Sequence, residues 1–106
     1  MSGQRISGRL IAAARALAGV GRADFAAAAG LTPNSLRLIE GSGSAWLHSQ
    51  HETSAVLRAF DHFGILIVEE ADGFGAGVRL KFTRQDVRQL ARLEGEGGIV
   101  GSDDAP

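Results

Sequence analysis

A short run of polar residues after Pro33 has the chemistry to read the edges of base pairs. Asn34, Ser35 and Arg37 follow this proline closely. An asparagine amide can pair bidentately with adenine, an arginine guanidinium with guanine, and a serine hydroxyl with a base or a phosphate. Arg22 lies earlier in the chain, where its guanidinium can bind a phosphate. These residues predict a nucleic-acid contact if the local structure places them on one exposed surface.

The residues before this run predict a short helix from Arg22 to Ala29. The segment is rich in alanine, which favours helix formation. Phe25, Ala26 and Ala29 are its expected buried residues. Gly30 follows at the position where a helix end favours a left-handed residue.

A second short helix is predicted over residues 33–40. Thr32 is a good N-cap residue. Pro33 is tolerated in the first turn because the backbone N–H groups there form no hydrogen bond within the helix. Leu36 and Ile39 are expected to face the core, which leaves the polar residues outside. Leu38 lies among these and is expected to contact a thymine methyl group or to pack against the protein. Two short helices around a tight turn predict a helix-turn-helix, whose second helix enters the major groove.

Helices are also predicted on both sides of this unit. The first begins after Ser7, a suitable N-cap. Its expected inward residues are Leu10, Ala13, Ala14 and Leu17. The helix after the unit is predicted over residues 52–63, following a loop of residues 42–50, because its apolar residues recur with helical spacing.

The pattern changes after Gly64, where two strands are predicted. Residues 65–68 are continuously apolar, which is typical of a strand covered on both faces. Residues 78–82 alternate between apolar and charged, which indicates one exposed face. A glycine-rich stretch joins them, so we expect an antiparallel hairpin. Residues 65–68 are most simply core. A homodimer sheet across this segment is the second possibility, because a two-stranded hairpin alone is marginal and has edges to satisfy. The residues expected at that contact are Ile65, Ile67, Val68 and Leu80.

The predicted fold is mainly α-helical, a compact helix-turn-helix bundle of four to five helices with an added C-terminal β-hairpin. Four regions are expected along the chain. They are a flexible N-terminal arm of residues 1–6, the helix-turn-helix domain of residues 7–63, the hairpin with a helix capped by Thr83 over residues 64–94, and a disordered acidic tail of residues 95–106.

Charge and composition narrow the possible functions. The chain has 106 residues and a net charge of −1, yet its first forty residues hold five arginines against two acidic residues. A local basic excess of this kind suits contact with phosphates. The chain has no cysteine, which excludes a disulfide scaffold, a thiol nucleophile and cysteine metal sites.

Other chemistry finds little support in the residue pattern. His48, His51 and His62 have no clear metal-ligand spacing, and the carboxylates form no acid–base pair. We therefore expect no metal, no cofactor and no enzymatic activity. No apolar run is long enough to cross a membrane and no secretory leader pattern is present, so we expect a cytoplasmic protein without a membrane partner.

Several short motifs occur together over residues 7–63. They are Ala13 to Leu17, Phe25-Ala26 with Gly30, Thr32 to Leu36, Ile39-Glu40-Gly41, and the later Thr53, Val56 and Ala59. With these motifs the chain resembles the lambda-repressor-like (Xre-like) helix-turn-helix family. Residues 64–82 are similar to a strand pair that some short bacterial members add, ending in Gly77-Val78-Arg79-Leu80.

The resemblance implies a transcriptional regulator, such as a repressor, that binds operator DNA as a homodimer. It also implies an ion pair between Arg15 on the first helix and Glu40 at the end of the recognition helix. Arg22 departs from the family, which usually has glutamine there. Taken with the residue chemistry, the expected DNA contacts are Arg22, Thr32, Pro33, Asn34, Ser35, Arg37 and Leu38.

Two other functions remain open from the sequence. One is a protein-interaction module, such as an antitoxin-like partner of a second protein, which the apolar strand of residues 65–68 and the loop residue Trp46 favour. The other is a helical fold that has lost DNA binding and only dimerises, which the near-neutral net charge favours.

Overall fold

The computed structural model describes residues 5–83, which form four helices followed by one antiparallel hairpin. The helices are α1 (Gly8–Ala18), α2 (Arg22–Ala29), α3 (Pro33–Glu40) and α4 (Gln50–Phe63), and the strands are β1 (Ile65–Val68) and β2 (Gly77–Leu80). This confirms the mainly α-helical class with a C-terminal hairpin. The helix predicted after Thr83, the tail of residues 95–106 and the first four residues of the predicted arm lie outside the described residues.

Local sequence signals set the ends of the helices. The hydroxyls of Ser7, Thr32 and Ser49 each accept a hydrogen bond from a backbone N–H in the first turn of the helix that follows. Glycines in the left-handed conformation end three of the helices: Gly19, Gly30 and Gly64. Because Ser49 is the cap, α4 begins at Gln50, slightly before the predicted start at residue 52.

The core lies where the four helices meet. The ring of Phe25 packs edge to face on Phe60 and stacks on Phe63, with ring centroids 5.9 Å apart in both pairs. The inward residues predicted for α2 and α3 are all buried: Phe25, Ala26, Ala29, Leu36 and Ile39. These residues bury apolar surface against the other helices, and burial of apolar surface is the main favourable contribution to the free energy of folding.

The inward face predicted for α1 is partly wrong. Gly8, Ile11 and Ala14 are the buried residues of this helix, whereas Leu17 is 47% exposed. Leu10 is half-buried and Ala13 is exposed. The helix is therefore rotated from its predicted orientation, since its alanine-rich sequence allows more than one inward face.

The end of the predicted N-terminal arm is part of the fold. Ile6 is 1% exposed, and its carbonyl oxygen accepts a hydrogen bond of 2.8 Å from the N–H of Leu47. The guanidinium of Arg5 lies over the Trp46 ring, 4.7 Å from its centroid. The loop between α3 and α4 is thus held against the segment that precedes α1.

The hairpin covers the core with one face only. Ile65 pairs with Leu80 and Ile67 with Val78 on the inner face, which packs against the helices. On the other face Leu66 is 46% exposed. The prediction that β1 is covered on both faces is therefore wrong for the described residues. None of the helices among residues 5–83 is long and apolar enough to cross a membrane.

Candidate nucleic-acid interface

The side of α3 that faces away from the core carries three exposed side chains. Asn34 and Arg37 are exposed, and Leu38 is 61% exposed. Residues three and four apart on a helix share one side, so these three form a continuous surface. Leu36 and Ile39, both buried, fix that surface relative to the core. We call Asn34, Arg37 and Leu38 the reading face.

Two members of the reading face bind each other. Nη2 of Arg37 donates a hydrogen bond of 2.7 Å to Oδ1 of Asn34. This oxygen is also the atom that would accept from adenine, and its second lone pair leaves room for that bond beside the one from Arg37. A guanidinium has five N–H donors in all. Arg37 can therefore pair with guanine while it keeps its bond to Asn34.

The start of α3 uses its hydroxyl groups to cap the helix. Oγ1 of Thr32 accepts from the N–H of Ser35 at 3.0 Å and donates to Oγ of the same serine at 3.0 Å. Thr32 and Pro33 are exposed and Ser35 is half-buried. These three predicted contact residues thus lie next to the reading face, although two of them have a structural role in capping.

The carboxylate of Glu40 joins three helices at the other end of α3. Its Oε2 accepts from Nε of Arg15 at 2.6 Å, and its Oε1 accepts from Nη2 of Arg15 at 3.0 Å. Nη2 of Arg22 donates to the same Oε1 at 3.1 Å. We call Arg15, Arg22 and Glu40 the glutamate cluster. Because its members lie on α1, α2 and α3, it fixes α3 to both of its neighbours.

The electrostatics of the glutamate cluster favour the charged forms. Burial alone would raise the pKa of Glu40, whose side chain is 7% exposed, but the hydrogen bonds from Arg15 and Arg22 outweigh burial and lower it. The hydrogen bond to Glu40 raises the pKa of Arg15. Nη1 of Arg15 also donates to the carbonyl oxygen of Val20 at 3.2 Å. The cluster is therefore a satisfied ion network rather than an isolated buried charge.

The structure changes the expected role of Arg22. Its side chain was predicted to bind phosphate, but one of its nitrogens is held by Glu40 while the side chain stays 42% exposed. The exposed part of the Arg22 guanidinium can still contact a phosphate. The bond between Arg22 and Glu40 was not predicted, because it joins residues far apart in the chain and no local pattern indicates it.

Gly8 is a second residue that the sequence analysis missed. A Cβ at this position would lie 2.6 Å from the carbonyl oxygen of Glu40 and 2.8 Å from Oγ of Ser42, and nearer still to the carbonyl oxygen of Ile39. The first turn of α1 therefore packs against the backbone at the end of α3. Because this contact joins residues about thirty positions apart, no local sequence pattern indicates it.

The four residues predicted at a dimer contact do not share one surface. Ile65 is 4% exposed and part of the core. Ile67 and Leu80 are half-buried against the core, because alternate residues of a strand point to opposite faces. Of the four, Val68 is the one on the outer face, where it is 43% exposed. The strand residue on that face that the prediction missed is Leu66.

Comparison with known proteins assigns neither a family nor a function to this chain. No protein-family model matches the chain, and no curated protein matches it. Within residues 5–83 there is no group of three or more histidine, aspartate or glutamate side chains that could hold a metal ion.

Proposed function

We propose that the protein is a transcriptional regulator that binds double-stranded DNA in a sequence-specific manner as a homodimer. The carrying observation is the reading face, a pair of hydrogen-bonded polar side chains beside an exposed leucine on a short, capped helix. Surface helices commonly expose polar residues. Here, however, the helix is also fixed at its far end by the glutamate cluster, which suits a surface that must keep its shape on contact.

The dimensions of α3 suit the major groove. An α-helix with its side chains is about 10–12 Å in diameter, and the major groove is ~12 Å wide, enough to admit one helix. Arg37 supplies donors for guanine, and Leu38 supplies an apolar contact for a thymine methyl group. Asn34 supplies an amide for adenine, and the bond from Arg37 holds that amide in place.

The charges near α3 favour binding to phosphates. The exposed part of Arg22 lies at the start of α2, and Arg9 is exposed at the start of α1. The carboxylate of Glu40 is paired with two arginines, so the glutamate cluster as a whole still carries a net positive charge. Binding that depends on such contacts falls steeply as salt concentration rises.

The proposal is tested by selection from a random DNA library with the purified full chain at two salt concentrations. We expect an inverted repeat whose half-sites are about one helical turn apart, ~34 Å. We also expect weaker retention at the higher salt concentration. Retention without any shared sequence would contradict sequence-specific reading, and no retention at low salt would contradict DNA binding altogether.

A further inference from the structure

The hairpin carries an exposed apolar face that the proposed DNA contact does not use. Leu66 and Val68 of β1 lie on the side opposite the core and are 46% and 43% exposed. Leu66 is paired with Arg79 of β2, and Val68 is paired with Gly77. We call Leu66, Val68 and Arg79 the outer hairpin face. Exposed leucine and valine side chains side by side on a strand are a common feature of contact surfaces.

The charges around the outer hairpin face are separated along the strands. Arg79 and the neighbouring Lys81 lie toward the open end of the hairpin, where the N–H of Lys81 donates to the carbonyl oxygen of Gly64 at 2.7 Å. Glu69 and Glu70 follow β1 directly, at the end nearer the turn. All four charged residues are exposed. Along the strands the surface therefore changes from positive, where Lys81 and Arg79 lie near Leu66, through the apolar Val68 to negative at the two glutamates.

We propose that the outer hairpin face binds a second copy of this chain. Two copies can pack face to face about a two-fold axis that runs across the strands at the apolar middle. This axis places the positive end of one copy on the negative end of the other, and it brings the two apolar centres together. A surface with this arrangement is complementary to itself. Phosphates would be repelled at the glutamate end, and a partner of one charge sign would be repelled at one end or the other.

The size of the surface predicts a weak dimer. Each strand has four residues, so the paired region is about 13 Å long. Such a surface buries less than the ~800 Å² per partner of a typical stable complex. We therefore expect association that depends on protein concentration. The role of this dimer in DNA binding rests on the proposed function. The contact between the two copies does not, since it is measured without DNA.

The test exchanges charges between the two ends of the surface. One variant carries Arg79→Glu with Lys81→Glu, and the other carries Glu69→Lys with Glu70→Lys. Sedimentation equilibrium of the full-length protein, without DNA, measures the dimer constant of the wild type, of each variant and of an equimolar mixture. Each variant alone should associate at least about tenfold more weakly than the wild type, because like charges then face each other. The mixture should recover dimers, because every contact between the two variants again joins opposite charges.

Recovery in the mixture separates a direct contact from damage to the fold, since a misfolded variant would not be rescued by its counterpart. Leu66→Ser, which leaves all charges in place, should also weaken the dimer. A wild type that stays monomeric at every concentration would overturn the inference, even if another protein or the residues after 83 were found to cover the face. A dimer that tolerates both charge variants and Leu66→Ser would overturn it as well. A monomeric wild type that still selects a DNA sequence would leave the DNA-reading proposal standing.

Discussion

Arg15 and Glu40 bind each other through two hydrogen bonds, of 2.6 and 3.0 Å, that connect the middle of the first helix to the last residue of the third. The two side chains are 17% and 7% exposed. This relationship ties the orientation of the reading face to the helix that begins the fold.

Arg15→Ala should lower the free energy of unfolding by about 3 kcal/mol, because the mostly buried Glu40 carboxylate then loses its main partner. Urea denaturation at neutral pH measures the effect. Arg9→Ala is the matched control, since Arg9 is an exposed arginine of the same helix and its loss should change stability by no more than about 0.5 kcal/mol. Equal losses in the two variants would show that the ion pair adds nothing to stability.

The contribution of Glu40 should disappear in acid. Its pKa is lowered in the folded protein because hydrogen bonds from Arg15 and Arg22 outweigh the effect of burial. A group with a lowered folded pKa stabilises the fold fully above its unfolded pKa, about 4.3 for glutamate. That contribution is lost as the pH falls through the lowered folded value.

The measurement compares the unfolding free energies of the wild type and of Glu40→Gln from neutral pH downward. The wild type should be the more stable protein at pH 7. The difference should shrink below about pH 4.3, where the carboxyl begins to bind a proton in the unfolded chain. A difference that stays constant across this range would contradict the pKa shift.

Arg37→Ala should remove the preference for one base pair in each half-site of the selected DNA. An arginine that pairs bidentately with guanine contributes about 1–3 kcal/mol of discrimination. Competition binding with single-base variants of the selected site measures the loss. Arg79→Ala removes the same charge from the hairpin and should leave base preference unchanged, even if it weakens the dimer. Unaltered preference in the Arg37 variant would exclude Arg37 from base reading.

Gly8→Ala should destabilise the protein although alanine favours helices. The added Cβ would lie 2.6 Å from the carbonyl oxygen of Glu40, and overpacking of this kind costs about 1–3 kcal/mol. Thermal or urea unfolding measures the change. Gly75→Ala is the control, because a Cβ at Gly75 has no neighbouring atom within 4 Å. A more stable Gly8 variant would mean that the backbone of α3 can move away at little cost.

The helix-turn-helix was predictable because its signals are local. Thr32 caps α3 and Gly30 ends α2 in the left-handed conformation, as their sequence positions predicted. Phe25 and Leu36 are buried as expected, because few other large apolar residues compete with them in these short helices. The order of helices and strands follows from such local choices.

The parts that the sequence did not predict depend on contacts between distant residues. The inward face of α1 is set by Gly8 against the end of α3, whereas an alanine-rich helix alone permits several orientations. The bond between Arg22 and Glu40 exists only once α2 and α3 have packed. The exposure of Leu66 likewise depends on whether other parts of the protein cover one face of the hairpin or both. A run of four apolar residues does not indicate which.

The position of Glu40 also has a consequence for how the bundle opens. Since its carboxylate is shared by α1 and α2, the third helix cannot fray or tilt at this end without breaking bonds to both. Local opening of α3 at this end therefore costs more than the fraying of a helix end that no side chain ties to its neighbours. Backbone amide protons in the last turn of α3 should accordingly exchange with solvent more slowly than those at such an untied end. The surface formed by Asn34, Arg37 and Leu38 is accordingly organised before any partner arrives, and little ordering entropy is left for binding to overcome.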